Sequence, residues 1–439
     1  MASRSGVDPA PRSGGAPSFG EAVEQVARRR YAAMVARLVR ALGPAQLELA
    51  EDVVQEAFVR ALRAWPASGM PDEPERWLYR VAKNLALDGL RRRSLGPRIE
   101  SELGEWALAR GESEGPAAPA GEALDDTLRM MFLCAHPSLP PESRSALVLK
   151  SVCGFGNAEI AAALLAKEAT IAQRLTRAKA RLVEEHASFE LPPPARLIER
   201  LDVVLESLYL LFNEGYRAHR GEQLVRVDLV YEAARLTRLL TEHPHTDQPA
   251  THALLALVFL TGARVPARTN ALGELLTLAE QDRTLWERSW LSAGMTHFRR
   301  AAAGERVTAY HIEAAIASLH ACAPTYEATN WGAILREYDR LLALRDDPIV
   351  RLNRAVALAK VYGAARGLAE LDALGDEGPL AGYQLRLATR AHLLWDLGAH
   401  ADATRALEAA LLLPCTEPER RLLERRLTDC RRQSPPAPW

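Results

Sequence analysis

Cysteine is scarce in this 439-residue chain and never clustered: Cys134, Cys153, Cys322, Cys415 and Cys430 form no close pair and no metal-ligand spacing. That argues against a disulfide scaffold or a structural zinc, and suits a reducing cytoplasm in which thiols pack as small apolar groups. Aromatic residues make up only 6%, β-branched residues are sparse, and no stretch alternates with period two for long, so the chain reads as all-α. No run of eighteen apolar residues occurs. Ala253 to Leu260 has the length of a buried helix rather than a spanning one. Met1 to Gly20, rich in Ser, Pro, Gly and Arg, lacks the apolar core of a signal peptide or membrane anchor and reads as a disordered tail. With 55 basic and 56 acidic residues the formal charge is −1, so any nucleic-acid surface must be local.

Enzyme signatures are missing too. No Walker loop, HExxH, GxSxG or dinucleotide fingerprint appears, so neither a catalytic centre nor a cofactor is expected. His243, His245 and His252 lack a convincing further partner, and no metal is expected there.

What is present centres on Asn157 to Leu182. Asn157 can cap a short helix with Ile160, Ala161 and Leu164 inside; after a turn near Leu165 to Lys167, a second helix turns Ile171, Leu175, Ala178 and Leu182 inward. Two short helices with a tight turn read as a helix-turn-helix. The second presents Gln173, Thr176 and Arg177 at i, i+3 and i+4, with Arg174, Lys179 and Arg181 beside them. Such a face suits base edges in a major groove and flanking phosphates. A solvated basic face on an ordinary core helix has the same pattern.

Upstream, Val23, Val26, Tyr31, Val35, Leu38, Val39 and Leu42 form one helical stripe before a Gly43-Pro44 break. A helix over Leu49 to Trp65 turns Val53, Val54, Ala57, Phe58, Ala61 and Leu62 inward and leaves Asp52, Gln55, Glu56 and Arg63 outside. After a Pro66 to Glu75 loop, a third helix reaches Arg93, with Leu78, Val81, Ala82, Leu85 and Leu90 inside. Arg80, Lys83, Asn84, Arg91, Arg92 and Arg93 make its cationic side, with Trp77 and Tyr79 interleaved. Rings among cations suit a single strand, whose bases stack while its backbone is held. Trp77 taken singly also fits a core plug.

The order of acidic helix Asp52 to Phe58, loop, Trp77-Leu-Tyr-Arg-Val-Ala-Lys-Asn84 with Arg91 to Arg93, linker and helix-turn-helix resembles the two-domain core of bacterial extracytoplasmic-function (ECF) sigma factors. The resemblance implies that Asp52, Gln55 and Glu56 contact core RNA polymerase. It implies that Trp77, Arg80, Lys83, Asn84, Arg91 and Arg92 serve the melted −10 element. Lys167, Thr170, Gln173, Arg174, Thr176 and Arg177 would serve the −35 duplex. It sets a tail at 1–19, region 2 at 20–93, a flexible acidic linker at 94–123 and region 4 at 124–190. Leu133, Cys134, Leu147 and Val148 are expected in the core of region 4.

Leu191-Pro-Pro-Pro194 marks the next boundary. Beyond it, Leu208-Tyr-Leu-Leu-Phe-Asn-Glu-Gly-Tyr216, with Gly215 as a left-handed cap, Glu280-Gln-Asp-Arg283 before Trp286, Asn330-Trp331 and Leu352 to Val356 are similar to a sigma-factor subgroup with a fused helical extension related to tetratricopeptide repeats. Aligning Leu352 to Leu374 with Leu387 to Ala409 superposes Leu358 on Leu393, Gly363 on Gly398 and Leu371 on Ala406, close to a tetratricopeptide period. The extension would span 191–432, ahead of a tail at 433–439. Its concave face is expected to bind a peptide or a neighbouring domain. Glu280, Asp282 and Arg283 read as a helix-surface ion-pair group. Asn213 and Glu214 fit either a buried helix junction or a groove.

The expected protein is thus a cytoplasmic, membrane-free sigma factor controlled by its own extension. The rival reading is a polymerase-independent helix-turn-helix regulator with a helical sensor domain, which leaves Asp52, Gln55 and Glu56 without a task.

Overall fold

The computed structural model describes residues 19–92, 120–164, 166–218, 224–375, 380 and 382–432. The expected tails (apart from Phe19), the expected linker up to residue 119, and Leu165 of the expected turn lie outside them. Among the described residues all regular elements are helical, and the sole strand-like feature is an isolated antiparallel bridge between Thr269 and Leu275. The chain divides into two units: Met1–Gly156 with Ala172–Leu191, and Asn157–Ile171 with Pro192–Trp439.

In the first unit α1 (Phe19–Leu42), α2 (Leu47–Ser68) and α3 (Pro74–Arg92) pack on one another, and α4 (Ala120–Cys134) lies against α1 and α5 (Pro141–Ser151). The expected stripe of Tyr31, Val35, Leu38, Val39 and Leu42 is buried, as are Leu133, Cys134, Leu147 and Val148. Three expectations are corrected. Pro66 does not start the loop: it lies in the last turn of α2, which ends when Gly69 takes φ 79°. Leu62 is 45% exposed rather than inward, because the buried line Val54, Phe58, Ala61, Trp65 runs along the other side of the helix. The linker range is shorter at its end, since α4 already begins at Ala120.

The second unit holds α6 (Asn157–Ala163) and the start of α7 (Glu168–Glu184) together with the C-terminal helices. The triple proline opens α8 (Pro194–Tyr216), with Pro194 in its first turn, where a missing N–H costs nothing. Then come α9 (Val227–Glu242), α10 (Pro249–Gly262), α11 (Arg288–Ala301), α12 (Ala309–Cys322), α13 (Trp331–Leu344), α14 (Pro348–Tyr362), α15 (Ala364–Asp372), α16 (Gln384–Asp396), α17 (His400–Leu411) and α18 (Glu417–Arg431). Each of these helices packs on its neighbours in sequence. With its following turn, α10 makes the one described stretch, Pro249–Ala267, apolar and long enough to cross a membrane; 72% of its apolar window is buried inside the unit, as in a core helix.

The superposition drawn from spacing reads out as two helix pairs, α14–α15 and α16–α17, turned by Gly363 (φ 91°) and Gly398 (φ 76°). Leu371 and Ala406 are both buried behind those turns. Gly215 is a correction: it has no positive φ and sits inside α8. Its role is close approach, since a Cβ there would stand 2.7 Å from the Val230 amide nitrogen and 2.9 Å from the Leu229 Cβ. Gly215→Ala is therefore expected to force α8 and α9 apart, at about 2–3 kcal/mol, seen as a fall of several degrees in the melting temperature.

Five imidazoles of this unit, His252, His297, His311, His320 and His392, are held below their ordinary range, in every case first by burial. Next in weight come Arg300 for His252, His252 for His297, Arg264 for His320 and Arg426 for His392. His297 falls to about 4, and His320 and His392 to about 3. Burial pushes Glu313 the other way, to about 7. Below the unfolded histidine value of about 6.5 the unfolded chain binds the extra protons, so stability is lost as the pH falls from there towards about 4. Glu313 opposes this with one proton between about 4.5 and 7. The three strongly depressed imidazoles alone leave a net of about two protons on the unfolded chain near pH 5.5, a slope of about 2–3 kcal/mol per pH unit. Thermal unfolding followed by circular dichroism is expected to show a clearly lower midpoint at pH 5 than at pH 7. A flat or rising profile contradicts this.

Candidate nucleic-acid and polymerase interface

On α2 the outward line begins with Asp52 and Gln55, both exposed, and Glu56, half-buried and joined to Arg60 at 3.0 Å. It continues through Val59, 37% exposed, and Leu62. Acidic, amide and apolar side chains at i, i+3, i+4, i+7 and i+10 thus share one open face of α2, the mixture found at the rim and core of protein interfaces.

On α3 the buried line is Leu78, Ala82, Ala86 and Leu90, with Val81 and Leu85 partly covered. Arg80, Asn84 and Arg91 are exposed and Lys83 is half-buried; the side chain of Arg92 lies outside the described residues. Arg91 stands 3.7 Å from Asp88. The two aromatics are less free than their spacing suggests. Trp77 meets the buried Trp65 edge-on at 5.4 Å, and the Arg37 guanidinium covers Tyr79 at 3.8 Å. Trp77 is thus half plug and half surface, and the open part of α3 is mainly cationic and amide.

On α7 the outer residues emerge as expected. Gln173, Thr176 and Arg177 are exposed, Lys167 is exposed, and Thr170 and Arg174 are half-buried. The Thr176 hydroxyl donates to the Ala172 carbonyl at 3.0 Å, which fixes its rotamer. Arg174 reaches Glu142 at 3.5 Å and Arg181 reaches Glu185 at 2.6 Å. Lys179 is not a free phosphate contact: its ammonium lies 2.6 Å from the carboxylate of Glu51.

Glu51 is the residue that sequence reasoning missed. It sits on the inward side of α2, 1% exposed, and also accepts a hydrogen bond from the Ser151 hydroxyl at 2.5 Å. Its place on the line Leu47, Glu51, Val54, Phe58 was the available signal, since an ionised group on a buried stripe needs partners. Arg226 is the other. It lies 2.5 Å from Glu159 on α6 and 3.8 Å from the buried Glu214. Glu214 therefore belongs to a helix junction, while Asn213 hydrogen-bonds the Tyr209 hydroxyl.

The supposed helix-surface group at 280–283 is dispersed. Glu280 pairs with Arg425 at 2.9 Å, Asp282 caps a short 3-10 turn through Thr284, and Arg283 stacks over Trp286 at 4.6 Å. Among the described residues no cluster of three or more His, Cys, Asp or Glu is placed to hold a metal. His243 and His245 stay in their loop, and His252 turns instead to His297, at 2.8 Å, and to Asp247, at 2.6 Å.

Three family models match stretches of the chain. Residues 28–95 match sigma-70 region 2, residues 129–182 match sigma-70 region 4, and residues 200–302 match a family of unknown function, DUF6596. An uncharacterized protein of Rhizobium meliloti (strain 1021) is 39% identical over 368 residues, covering 84% of this chain and 86% of that one. The probable ECF RNA polymerase sigma factor SigI of Mycobacterium tuberculosis (strain H37Rv) is 31% identical over 225 residues, 47% of this chain and 76% of that one. The ECF RNA polymerase sigma-E factor of Escherichia coli (strain K12) is 31% identical over 131 residues, 29% of this chain and 69% of that one. No solved structure matches. With both sigma-70 regions in order, and with relatives of this identity covered over more than two thirds of their length, the chain belongs to the ECF type of RNA polymerase sigma factors.

Proposed function

We propose that the chain binds core RNA polymerase through the outer line of α2, holds the melted −10 element with α3 and reads the −35 duplex with α7, acting by binding rather than by catalysis. The observation that carries this is the α2 line, where acidic, amide and apolar side chains stand exposed together. A regulator acting alone on duplex DNA needs no such surface. Arg80, Lys83, Asn84 and Arg91 offer cations and amides to a strand backbone, and Gln173, Thr176 and Arg177 are spaced for a major groove. Lys167, Thr170 and Arg174 stand beside them for phosphates.

The reading includes control by the C-terminal helices. It is supported by the Arg226 to Glu159 contact, in which the segment between α8 and α9 holds the first helix of the helix-turn-helix. The two glycine-turned helix pairs fit a tetratricopeptide-like stack with a concave face for a peptide or a neighbouring domain. Run-off transcription with purified core enzyme tests the whole reading. Promoter-specific transcripts that depend on this protein are expected. Tight sequence-specific duplex binding without any core association overturns it in favour of a polymerase-independent regulator.

A further inference from the structure

Where the second unit uses arginine as a strut between distant helices, it supplies a carboxylate. Arg217 lies 2.6 Å from Glu419, and Arg425 lies 2.9 Å from Glu280. Arg264, Arg268 and Arg283 have no carboxylate partner among the described residues. The first two flank the 3-10 turn Val265–Ala267 that follows α10, and the third opens the short turn before Trp286. Arg268, 8% exposed, donates to the Tyr216 carbonyl and lies over the Tyr216 ring at 4.0 Å. Arg264 reaches only the side-chain oxygen of Gln281, at 3.4 Å. Arg283 donates through one nitrogen to the carbonyls of His320 and Ala323, at 2.9 and 2.6 Å, while its other terminal nitrogen is buried without a partner.

The three cations stand in one another's field. Burial first, and the Arg264 charge in addition, hold Arg268 and Arg283 below the ordinary arginine value; Tyr216 and Glu419 oppose this at Arg268, and the exposed Glu327 at Arg283. An independent sign lies in Trp286, which is 3% exposed. Its ring has the Arg283 guanidinium at 4.6 Å and that of Arg264 at 5.5 Å, and its indole N–H is buried with no partner among the described residues. Like charges gathered beside an unpaired buried donor are costly in a folded chain. An anion seated among them removes both costs.

The side chains also select the anion. Guanidinium forks present paired N–H groups that match phosphate oxygens, and three cations suit a doubly charged group better than a single carboxylate. Arg264 and Arg283 are half-buried and give access from solvent, with Arg268 and Trp286 buried beside them. Such a site suits a small group rather than a duplex backbone.

We propose that Arg264, Arg268 and Arg283, together with the Trp286 indole N–H, form a binding site for a small phosphate-bearing ligand in the C-terminal helices. It uses none of the residues assigned to polymerase or promoter, so it stands or falls apart from that reading.

The test uses the full chain with inorganic phosphate as the probe, followed by titration calorimetry and by the melting midpoint, against chloride at the same ionic strength. One phosphate is expected per chain, with a dissociation constant at or below about 1 mM, and the midpoint is expected to rise as phosphate saturates. Arg264→Gln is expected to weaken phosphate by about tenfold or more. Its midpoint without phosphate is expected to hold or rise, since a like charge leaves the cluster and only the contact to Gln281 is lost. Arg264→Lys keeps the charge but loses the fork and is expected to fall between the two; it serves should Arg264→Gln lose its helical circular dichroism signal. Arg299→Gln, at an exposed position on α11, is expected to bind as the intact chain does. Absence of saturable heat and of any midpoint shift overturns the site. So does a lower phosphate-free midpoint in Arg264→Gln with unchanged affinity, or an equal loss in Arg299→Gln. Succinate bound as tightly as phosphate overturns the assignment to a phosphate group.

Discussion

Replacing Asp52, Gln55 and Glu56 together by alanine is expected to abolish promoter-specific run-off transcription by at least two orders of magnitude while leaving the fold intact. The three side chains lie on the outer side of α2, and Glu56 alone has a described ion pair, the exposed i,i+4 pair with Arg60. Losing that pair costs at most about 0.5 kcal/mol of stability. At a protein interface, truncating a cluster of central polar contacts costs about 1–2 kcal/mol per residue, and three such losses reach a hundredfold or more in affinity. Binding of the variant to core enzyme, measured beside its melting curve, separates the two effects. An unchanged midpoint with lost core binding places the polymerase contact on α2. Retained transcription with all three side chains removed shifts the contact elsewhere, and Val59 and Leu62 are the next residues to change.

How much of this was legible in the sequence depends on the range of the interaction that decides each residue's place. Periodicity acts within one helix, and it located the buried stripes of α1, α3 and α7 and the exposed Gln173, Thr176 and Arg177. Glycines that must adopt positive φ announce themselves, so Gly363 and Gly398 marked the two helix pairs. Gly215 misled for a related reason. A glycine at a helix end reads as a left-handed cap, yet here the need is a close approach of α9, which no local pattern encodes.

Charges were the hardest. Glu51 stands next to the exposed Asp52 in sequence but on the buried side of α2, and its partner Lys179 is 128 residues away. Arg226 and Glu159 are 67 residues apart. A carboxylate on a buried stripe could be flagged, but its partner is chosen by the fold. The same limit applies to Trp77 and Tyr79: sequence placed them among cations, and only packing shows that Trp65 and Arg37 already cover part of each ring.

Reversing one of those distant charges gives the second large effect. In Arg226→Glu, three carboxylates meet where a cation now stands between Glu159 and the buried Glu214. The change removes an attraction between groups that are mostly buried, with side chains 18% and 31% exposed, and adds repulsion. Together these amount to about 2 kcal/mol, or roughly thirtyfold in the equilibrium between held and released α6. If the C-terminal helices restrain the helix-turn-helix by holding α6, output with core polymerase rises in this variant and rises in the same direction on truncation after Glu190. The exchanged pair, Arg226→Glu with Glu159→Arg, restores the attraction and is expected to return output towards that of the intact chain. Single-round transcription at 50 and 300 mM salt adds a further check, because a partly buried pair is screened less than an exposed one and the variants should differ at both. Output that stays constant across the variant, the exchange and the truncation removes control in cis from the reading, while the polymerase and promoter contacts stand on their own observations.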